Sequence, residues 1–243
     1  MPDRTVITVA TYNEIDNLPR LVDAIFSHVP EADILVIDDN SPDGTGRWCD
    51  EQSATQPRLH CLHRPGKLGL GTATIAAMQW AIERDYTYLL NMDADFSHPP
   101  ERIPALLAAM QPGDGPPVDV AIGSRYVPGG GSEGWPLSRR LMSRAVNTYA
   151  RCLLGLRPRD CSGAFRCYRV ALLGRLDFSA VRSRGYAFQE EVLWHLKRLG
   201  ARMTEVPFVF AERRQGQSKI DTREAIAALA IIARLGAKNY LGM

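Results

Sequence analysis

Two carboxylates one residue apart, Asp93 and Asp95, stand in the stretch Met92-Asp93-Ala94-Asp95-Phe96-Ser97-His98-Pro99-Pro100. They follow Tyr86–Asn91, a run that reads as a buried strand of a mixed α/β sheet. Alternate residues of an extended segment share a face, so both acids converge on one point just beyond the strand's end. Two hard oxygen donors on one side, with open positions on the other, suit Mg²⁺ or Mn²⁺ bridged to a substrate diphosphate. Pro99-Pro100 ends the turn and starts a helix at Glu101. The competing reading is a pair of helix-capping acids, and a match as short as Asp-X-Asp does not choose between them.

The elements that must position this pair alternate. Thr5–Ala10, Asp33–Ile37, Leu59–His63, Tyr86–Asn91 and Val118–Gly123 read as strands. Leu18–Val29, the stretch around Cys49, Gly71–Arg84 and Pro104–Met110 read as helices. Repeated β-α-β order implies a parallel sheet with helices on both faces and right-handed crossovers. Ligands of such sheets collect beyond the strands' carboxyl ends. Four polar clusters fall there: Thr11-Tyr12-Asn13-Glu14, Asp38-Asp39-Asn40-Ser41-Pro42-Asp43-Gly44, Lys67-Leu68-Gly69-Leu70-Gly71, and Asp93 with Asp95. Their coincidence at one edge suggests a nucleotide site.

Each cluster also has a plainer explanation. Asp43-Gly44-Thr45 makes a good turn and helix start by itself. Asp38 and Asp39 differ, because adjacent carboxylates at a strand end repel unless something such as ribose hydroxyls or a base edge binds them. Lys67 with Gly69 and Gly71 is either an ordinary glycine loop or one whose backbone approaches phosphate or base. No Gly-Lys-Ser/Thr follows, so it is not a Walker loop, and the first strand lacks the Gly-X-Gly-X-X-Gly of dehydrogenases.

The bulk properties narrow the class. At 243 residues the chain can bury one sizeable core. A net charge of +2 gives no reason to expect a nucleic-acid partner. The five cysteines (Cys49, Cys61, Cys152, Cys161, Cys167) lack zinc spacing and fit reduced thiols of a cytosolic protein. The sequence reads straight into a strand, so no secretory leader is expected, and no apolar run is long enough to cross a bilayer.

Taken together, Thr-Tyr-Asn-Glu at 11–14, Asp-Asp-Asn-Ser-Pro-Asp-Gly-Thr at 38–45, Lys-Leu-Gly-Leu-Gly-Thr-Ala at 67–73 and Met-Asp-Ala-Asp at 92–95 resemble, in order and spacing, the inverting family 2 glycosyltransferases of GT-A fold. His-Pro-Pro-Glu at 98–101 and Gly-Ser-Arg-Tyr at 123–126 belong to the same pattern, and Phe210-x-x-Arg213-x-x-Gly216-x-Ser218-Lys219 carries it almost to the C-terminus. The most similar branch is the dolichyl- or polyprenyl-phosphate mannose synthases. The fold implied is α/β: a nucleotide-binding, mixed but mostly parallel sheet flanked by helices, followed by a C-terminal amphipathic or apolar helix. Residues 1–220 would form the glycosyltransferase domain, and residues 221–243 the helix, contacting a membrane surface or a partner.

The resemblance implies roles position by position. Ala10, Thr11, Tyr12 and Glu14 would line the donor pocket, with Asp38 or Asp39 near base or ribose. Asp93 and Asp95 would hold Mg²⁺ or Mn²⁺ on the donor diphosphate, with Ala94 giving backbone contacts. Arg125, Arg139 and Ser143 would grip the acceptor phosphate, and Arg213 and Lys219 would close over the diphosphate and assist its departure. There are two departures from the pattern: Ala10 replaces a usual Pro, and Ser97 stands where relatives often place Gln as a third metal-site ligand. The donor implied is GDP-mannose, with UDP-glucose as the alternative, and the acceptor is a polyprenyl or dolichyl phosphate.

The second half is expected to handle that acceptor. Gly129-Gly130-Gly131-Ser132 reads as a flexible loop, either closing over substrate or simply solvated. A helix over Leu137–Leu154 puts Arg139 and Ser143 one turn apart on a shared face. An Arg fork suits phosphate because it binds two oxygens at once; Arg140 and Arg144 are free for solvent or anionic head groups. Arg159–Arg166 resembles a family Ser-Gly-Phe-Arg segment interrupted by Ala164, so Asp160 and Arg166 receive no role. Gly185-Tyr186-Ala187-Phe188-Gln189-Glu190-Glu191 begins a helix with Val192, Leu193, Leu196 and Leu199 as its core face. Gln189 and Glu191 look either into the site or toward the helix dipole. Asp221-x-x-Glu224 resembles a capping box before the apolar Ala225–Ala233. That run is shorter than the roughly twenty residues a span needs, so it lies on a membrane, packs on the domain or meets a partner such as a membrane-anchored subunit.

The chemistry expected is a single inverting displacement by an anionic phosphate oxygen, which needs no general base. The protein would act on the cytosolic face of a membrane, bound peripherally. A nucleotidyltransferase would need a glycine-and-arginine-rich loop after Ala10, and none is there. A glycosidase needs carboxyls straddling a sugar rather than a metal-binding pair. A non-catalytic nucleotide-sugar binding subunit remains the third rival.

Overall fold

The computed structural model describes residues 3–111, 113–185, 187–211 and 222–241, with side chains described outside 222–226 and 241. Seven strands form the main sheet: β1 (Thr5–Thr11), β2 (Asp33–Asp38), β3 (Leu59–His63), β4 (Tyr88–Asp93), β5 (Val120–Ser124), β7 (Arg166–Arg169) and β8 (Met203–Pro207). Their order is β3-β2-β1-β4-β7-β5-β8. β7 alone runs against its neighbours β4 and β5, and the other pairings are parallel. Strands buried on both faces need apolar residues at successive positions, and these sequences supply them. Val6, Leu35, Ile37 and Leu89 point to one layer; Ile7, Val9, Ile34, Val36 and Leu90 point to the other.

Helices cover both faces. α1 (Leu18–His28) and α4 (Ile103–Ala108) insert Leu18, Leu21, Ile25, Ile103 and Leu106 into one layer, where Cys49 of α2 (Thr45–Ser53) joins them. α3 (Leu70–Glu83), α5 (Leu137–Leu154), α6 (Val170–Leu173), α7 (Phe188–Arg198) and α8 (Thr222–Leu241) cover the other. Each fully buried Leu or Ile contributes about 2 kcal/mol of transfer free energy. α8 packs on α5 and α7: Ile232 and Leu235 are buried, and the Tyr240 hydroxyl donates to the Cys152 carbonyl at 2.6 Å. Among the described residues no helix is long and apolar enough to cross a membrane.

Four differences from the expected elements bear on the site. β2 and β4 run on to Asp38 and Asp93, so these acids are the strands' last residues. Pro100–Arg102 forms a 3-10 turn and α4 begins only at Ile103, since the prolines at 100 and 104 remove two donors from the first turns. The triple-glycine loop is structured: Gly131–Ser132 forms β6, paired in parallel with β9 (Val209–Phe210). A Cβ at Gly130 would meet the Ser124 carbonyl, so that glycine serves close backbone approach rather than freedom. Finally, Arg166–Arg169, given no element from sequence, is the antiparallel strand β7.

Candidate active site

Register brings the acids together. Thr11 lies beside Asp38, and Ala10 beside Asp93, so the carboxyl ends of β1, β2 and β4 form one edge. The loops leaving β1 and β2 are tied to each other. Asn13 N–H donates to Ser41 Oγ at 3.0 Å, Glu14 N–H to Thr45 Oγ1 at 3.0 Å, and Ile15 N–H to Asp43 Oδ2 at 3.0 Å. Asn17 Nδ2 donates to Glu14 Oε2 at 2.8 Å. Tyr12 stays exposed, with the Lys67 ammonium 4.9 Å from its ring centroid. Gly69 and Gly71 let that third loop lie against Arg184 and Phe188; a Cβ at Gly71 would sit 2.7 Å from the Phe188 ring.

The two adjacent acids are held differently. Asp39 is buried in a two-pronged pair with Arg64, Nε to Oδ1 at 2.6 Å and Nη2 to Oδ2 at 2.9 Å, and Arg64 Nη1 also donates to Thr72 Oγ1. Asp38 accepts from Thr11 Oγ1 at 3.3 Å, from Ser41 N–H at 3.1 Å and from the Ser41 hydroxyl. The repulsion foreseen between neighbouring carboxylates is thus met by a guanidinium the sequence reading did not single out. Arg64 immediately follows β3, which pairs with β2, and that placement was its only signal.

At the end of β4, Ser97 N–H donates to Asp95 Oδ1 at 3.0 Å, and Asp93 N–H donates to His98 Nδ1 at 3.0 Å. His98 is buried and stacked on Phe165; burial lowers its pKa, against the opposing pull of Asp93 and Asp95. Nδ1 accepts, so Nε2 carries the proton in the neutral ring, 3.8 Å from Asp93 Oδ2. Phe96 adopts φ 60° between Asp95 and Ser97. Ser97 Oγ is buried and finds no hydrogen-bond partner among the described residues. Two carboxylates and an orphaned hydroxyl make an all-oxygen donor set that fits Mg²⁺ or Mn²⁺.

A second cluster lies across β7. Arg125 leaves β5 and meets Asp160 through Nε and Nη2, both at 2.7 Å, and through its own N–H at 3.0 Å; Nη2 also donates to Ser162 Oγ at 2.9 Å. Asp160 is fully buried, and Arg125 is nearly so. Burial alone would raise the Asp160 pKa, but the Arg125 hydrogen bonds and charge hold it below the usual carboxylate range. Arg125 Nη1 makes no hydrogen bond among the described residues. The Tyr126 and Ser143 hydroxyls are 2.6 Å apart, and the Arg139 guanidinium stacks 4.2 Å over Trp135. Arg125, Arg139 and Ser143 therefore share one cluster. Arg166 is fully buried, donating to the Cys161 and Gln189 carbonyls, so both residues left without a role from sequence frame this cluster. Glu191 turns toward the Arg182 and Ser183 backbone. Arg213 and Lys219 lie outside the described residues.

Comparison with known proteins agrees with this geometry. A family model described as "Glycosyl transferase family 2" matches residues 6–177. The chain is 44% identical over 233 residues, 96% of it and 94% of the relative, to the "Undecaprenyl-phosphate mannosyltransferase" of Micrococcus luteus. It is 43% identical over 239 residues, 98% of it and 89% of the relative, to the "Polyprenol monophosphomannose synthase" of Mycolicibacterium smegmatis. Among solved structures, glucosyl-3-phosphoglycerate synthase from Mycobacterium tuberculosis, in complex with Mn²⁺, UDP and glucosyl-3-phosphoglycerate, superposes with a TM-score of 0.67 at 17% identity, covering 98% of this chain and 80% of that one.

Proposed function

Because the chain belongs to glycosyl transferase family 2, a family of glycosyltransferases, we propose that it moves mannose from GDP-mannose to a polyprenyl or dolichyl monophosphate with inversion at the sugar. The carrying observation is the match, along nearly the whole length of both chains, to two relatives named for polyprenyl-phosphate mannose transfer. The donor sits on the edge made by β1, β2 and β4, against Ala10, Thr11, Tyr12, Glu14, Asp38, Asp39 and Ala94. Asp93, Asp95 and Ser97 would hold the divalent cation, which when bound neutralises charge developing on the leaving diphosphate. The solved Mn²⁺ complex of a protein of the same fold is consistent with that assignment.

The residues of the second cluster act on the acceptor. Asp160 fixes the Arg125 fork and leaves Nη1 for a phosphate oxygen, with Arg139 and the Ser143 hydroxyl beside it. A phosphate monoester is already anionic at neutral pH, so catalysis reduces to aligning it with the sugar and stabilising the departing diphosphate. Arg213 and Lys219 take that second task. The N-terminal half of α5 supports a lipid-bound acceptor: Leu137, Leu141 and Met142 are exposed beside exposed Arg140 and Arg144, a composition that suits the boundary of an anionic membrane. We therefore place the protein peripherally at a membrane's cytosolic face, where a membrane-anchored subunit is a further candidate contact.

The test is transfer to polyprenyl phosphate from GDP-mannose and from UDP-glucose, supplied separately. Mannosyl-lipid should form from GDP-mannose alone, stop in EDTA, return with Mg²⁺ or Mn²⁺, and fall at least about a thousandfold in Asp95→Ala. Glucosyl-lipid instead would identify the other donor, and donor binding without turnover would identify a binding subunit. Full activity in EDTA would overturn the metal assignment.

A further inference from the structure

The described residues hold a cavity of about 420 Å³ that sugar transfer leaves without a role. It lies between α7 and α8 and is bordered by Ala180 and Arg182. Four cations line it, Arg182, Arg198, Arg234 and Lys238, against one carboxylate, Glu191. That carboxylate is occupied by the Arg182 and Ser183 backbone N–H groups, the latter at 2.7 Å. None of the four cations forms an ion pair among the described residues. Arg234 and Lys238 stand one turn apart on α8 and so face the same way.

Basic surface residues are ordinarily just solvated, and charge alone would mean little. The second observation is polar and buried. Trp194 lines the cavity and is 3% exposed, yet its indole N–H finds no acceptor among the described residues. The neighbouring His195 Nε2 makes no hydrogen bond among the described residues and lies 3.9 Å from Glu191 Oε1. A buried donor left unpaired costs roughly 1–3 kcal/mol, so such groups ordinarily have a protein, water or ligand acceptor. Arg198 stacks 4.9 Å over the Trp194 ring, which holds guanidinium and indole in one arrangement. Unpaired cations beside an unsatisfied N–H form a concave donor set for several anionic oxygens.

We propose that this cavity is an anion site for a phosphate ester, with Arg182, Arg198, Arg234, Lys238 and the Trp194 indole N–H as its donors. Ile231 and Leu235 give the wall an apolar part, which favours an ester over a bare ion. The ester is either the headgroup of an anionic phospholipid or a soluble phosphate.

Three probes separate these sources: calorimetric titration with glycerol 3-phosphate, the same with inorganic phosphate, and flotation with phosphatidylcholine vesicles with and without phosphatidylglycerol. R234E/K238E should weaken binding at least about tenfold, which corresponds to 1.4 kcal/mol. R102E/R175E, the same charge change at exposed residues outside the cavity, should leave it within about twofold. Trp194→Phe keeps the ring and the charge and should weaken binding about threefold or more, as loss of one hydrogen bond does. Cavity-dependent flotation without binding of the soluble probes supports a lipid source; saturable, cavity-dependent titration supports a soluble one. The proposal is overturned if no probe binds saturably, if R234E/K238E behaves like R102E/R175E, or if a folded Trp194→Phe binds as wild type. Should Trp194→Phe fail to fold, the two charge-reversal pairs decide.

Discussion

Asp160→Asn removes one charge and little volume from the best-buried ion pair among the described residues. Four donors meet that carboxylate: Arg125 N–H at 3.0 Å, Nε and Nη2 at 2.7 Å, and Gly163 N–H at 3.1 Å. An amide there turns an NH₂ group toward some of these donors and leaves the Arg125 cation, with 9% of its side chain exposed, uncompensated. Breaking one side of a buried pair costs about 3–5 kcal/mol, against a total stability of about 5–15 kcal/mol. For a chain of this size each kcal/mol moves the melting temperature by about 2–4 °C, so the variant should melt roughly 6–20 °C lower. R125M/D160N buries no charge and should regain at least half of that loss, because the penalty is chiefly an unpaired ion rather than a missing contact. Thermal unfolding followed by circular dichroism completes the cycle. A D160N protein melting within about 2 °C of wild type, or a double variant no better than D160N, would refute the reasoning.

Other perturbations follow from the same contacts. Burial raises the Glu190 carboxyl from 4.5 to about 7. Its folded pKa lies above the unfolded one, so its contribution is full below about 4.5 and is lost as pH rises through 7, about 3 kcal/mol in all. Glu190→Gln should flatten that decline in urea unfolding between pH 5 and 8, and parallel curves for the two proteins would contradict it. Arg64→Met strips Asp39 of its partner and should raise the donor KM about tenfold with the acceptor KM unchanged, read from initial rates. Gly71→Ala drives a Cβ to 2.7 Å from the Phe188 ring and should cost about 1–3 kcal/mol by chemical denaturation; a neutral result would mean the loop can withdraw from α7.

What was legible in the sequence follows a physical line. β1, β2 and β4 are buried on both faces, so their apolar runs are unambiguous, and the polar residues that interrupt them mark the functional edge. β7 was invisible because Arg166-Cys167-Tyr168-Arg169 has no apolar pattern. Its burial depends on the Gln189 and Cys161 carbonyls and on strands far away in the chain. Asp160 was hidden for the same reason: Arg125 lies 35 residues earlier, and no local spacing encodes the pair. The glycines at 129–131 misled differently. Their composition suggests freedom, whereas a Cβ at Gly130 would meet the Ser124 carbonyl, Gly129 holds φ 85°, and Gly131 is fixed by its pairing with β9.

The edge made by β1, β2 and β4 also shows where the fold tolerates strain. Asn13, Asn40 and Phe96 have φ of 61°, 57° and 60°, and each follows the carboxyl end of β1, β2 or β4. Asparagine enters the left-handed region readily, but a bulky Phe does so at a cost of about 1–2 kcal/mol. Such a conformation persists only where neighbours over-determine it. Here they do: the β1 and β2 loops are stitched together through Ser41, Asp43 and Thr45, and His98 and Ser97 close the turn onto Asp93 and Asp95. The parallel ladder fixes the three strand ends side by side, and each end then bends sharply away. Strand pairing thus supplies the rigidity, and the strained turns follow directly on the acids at the strands' carboxyl ends.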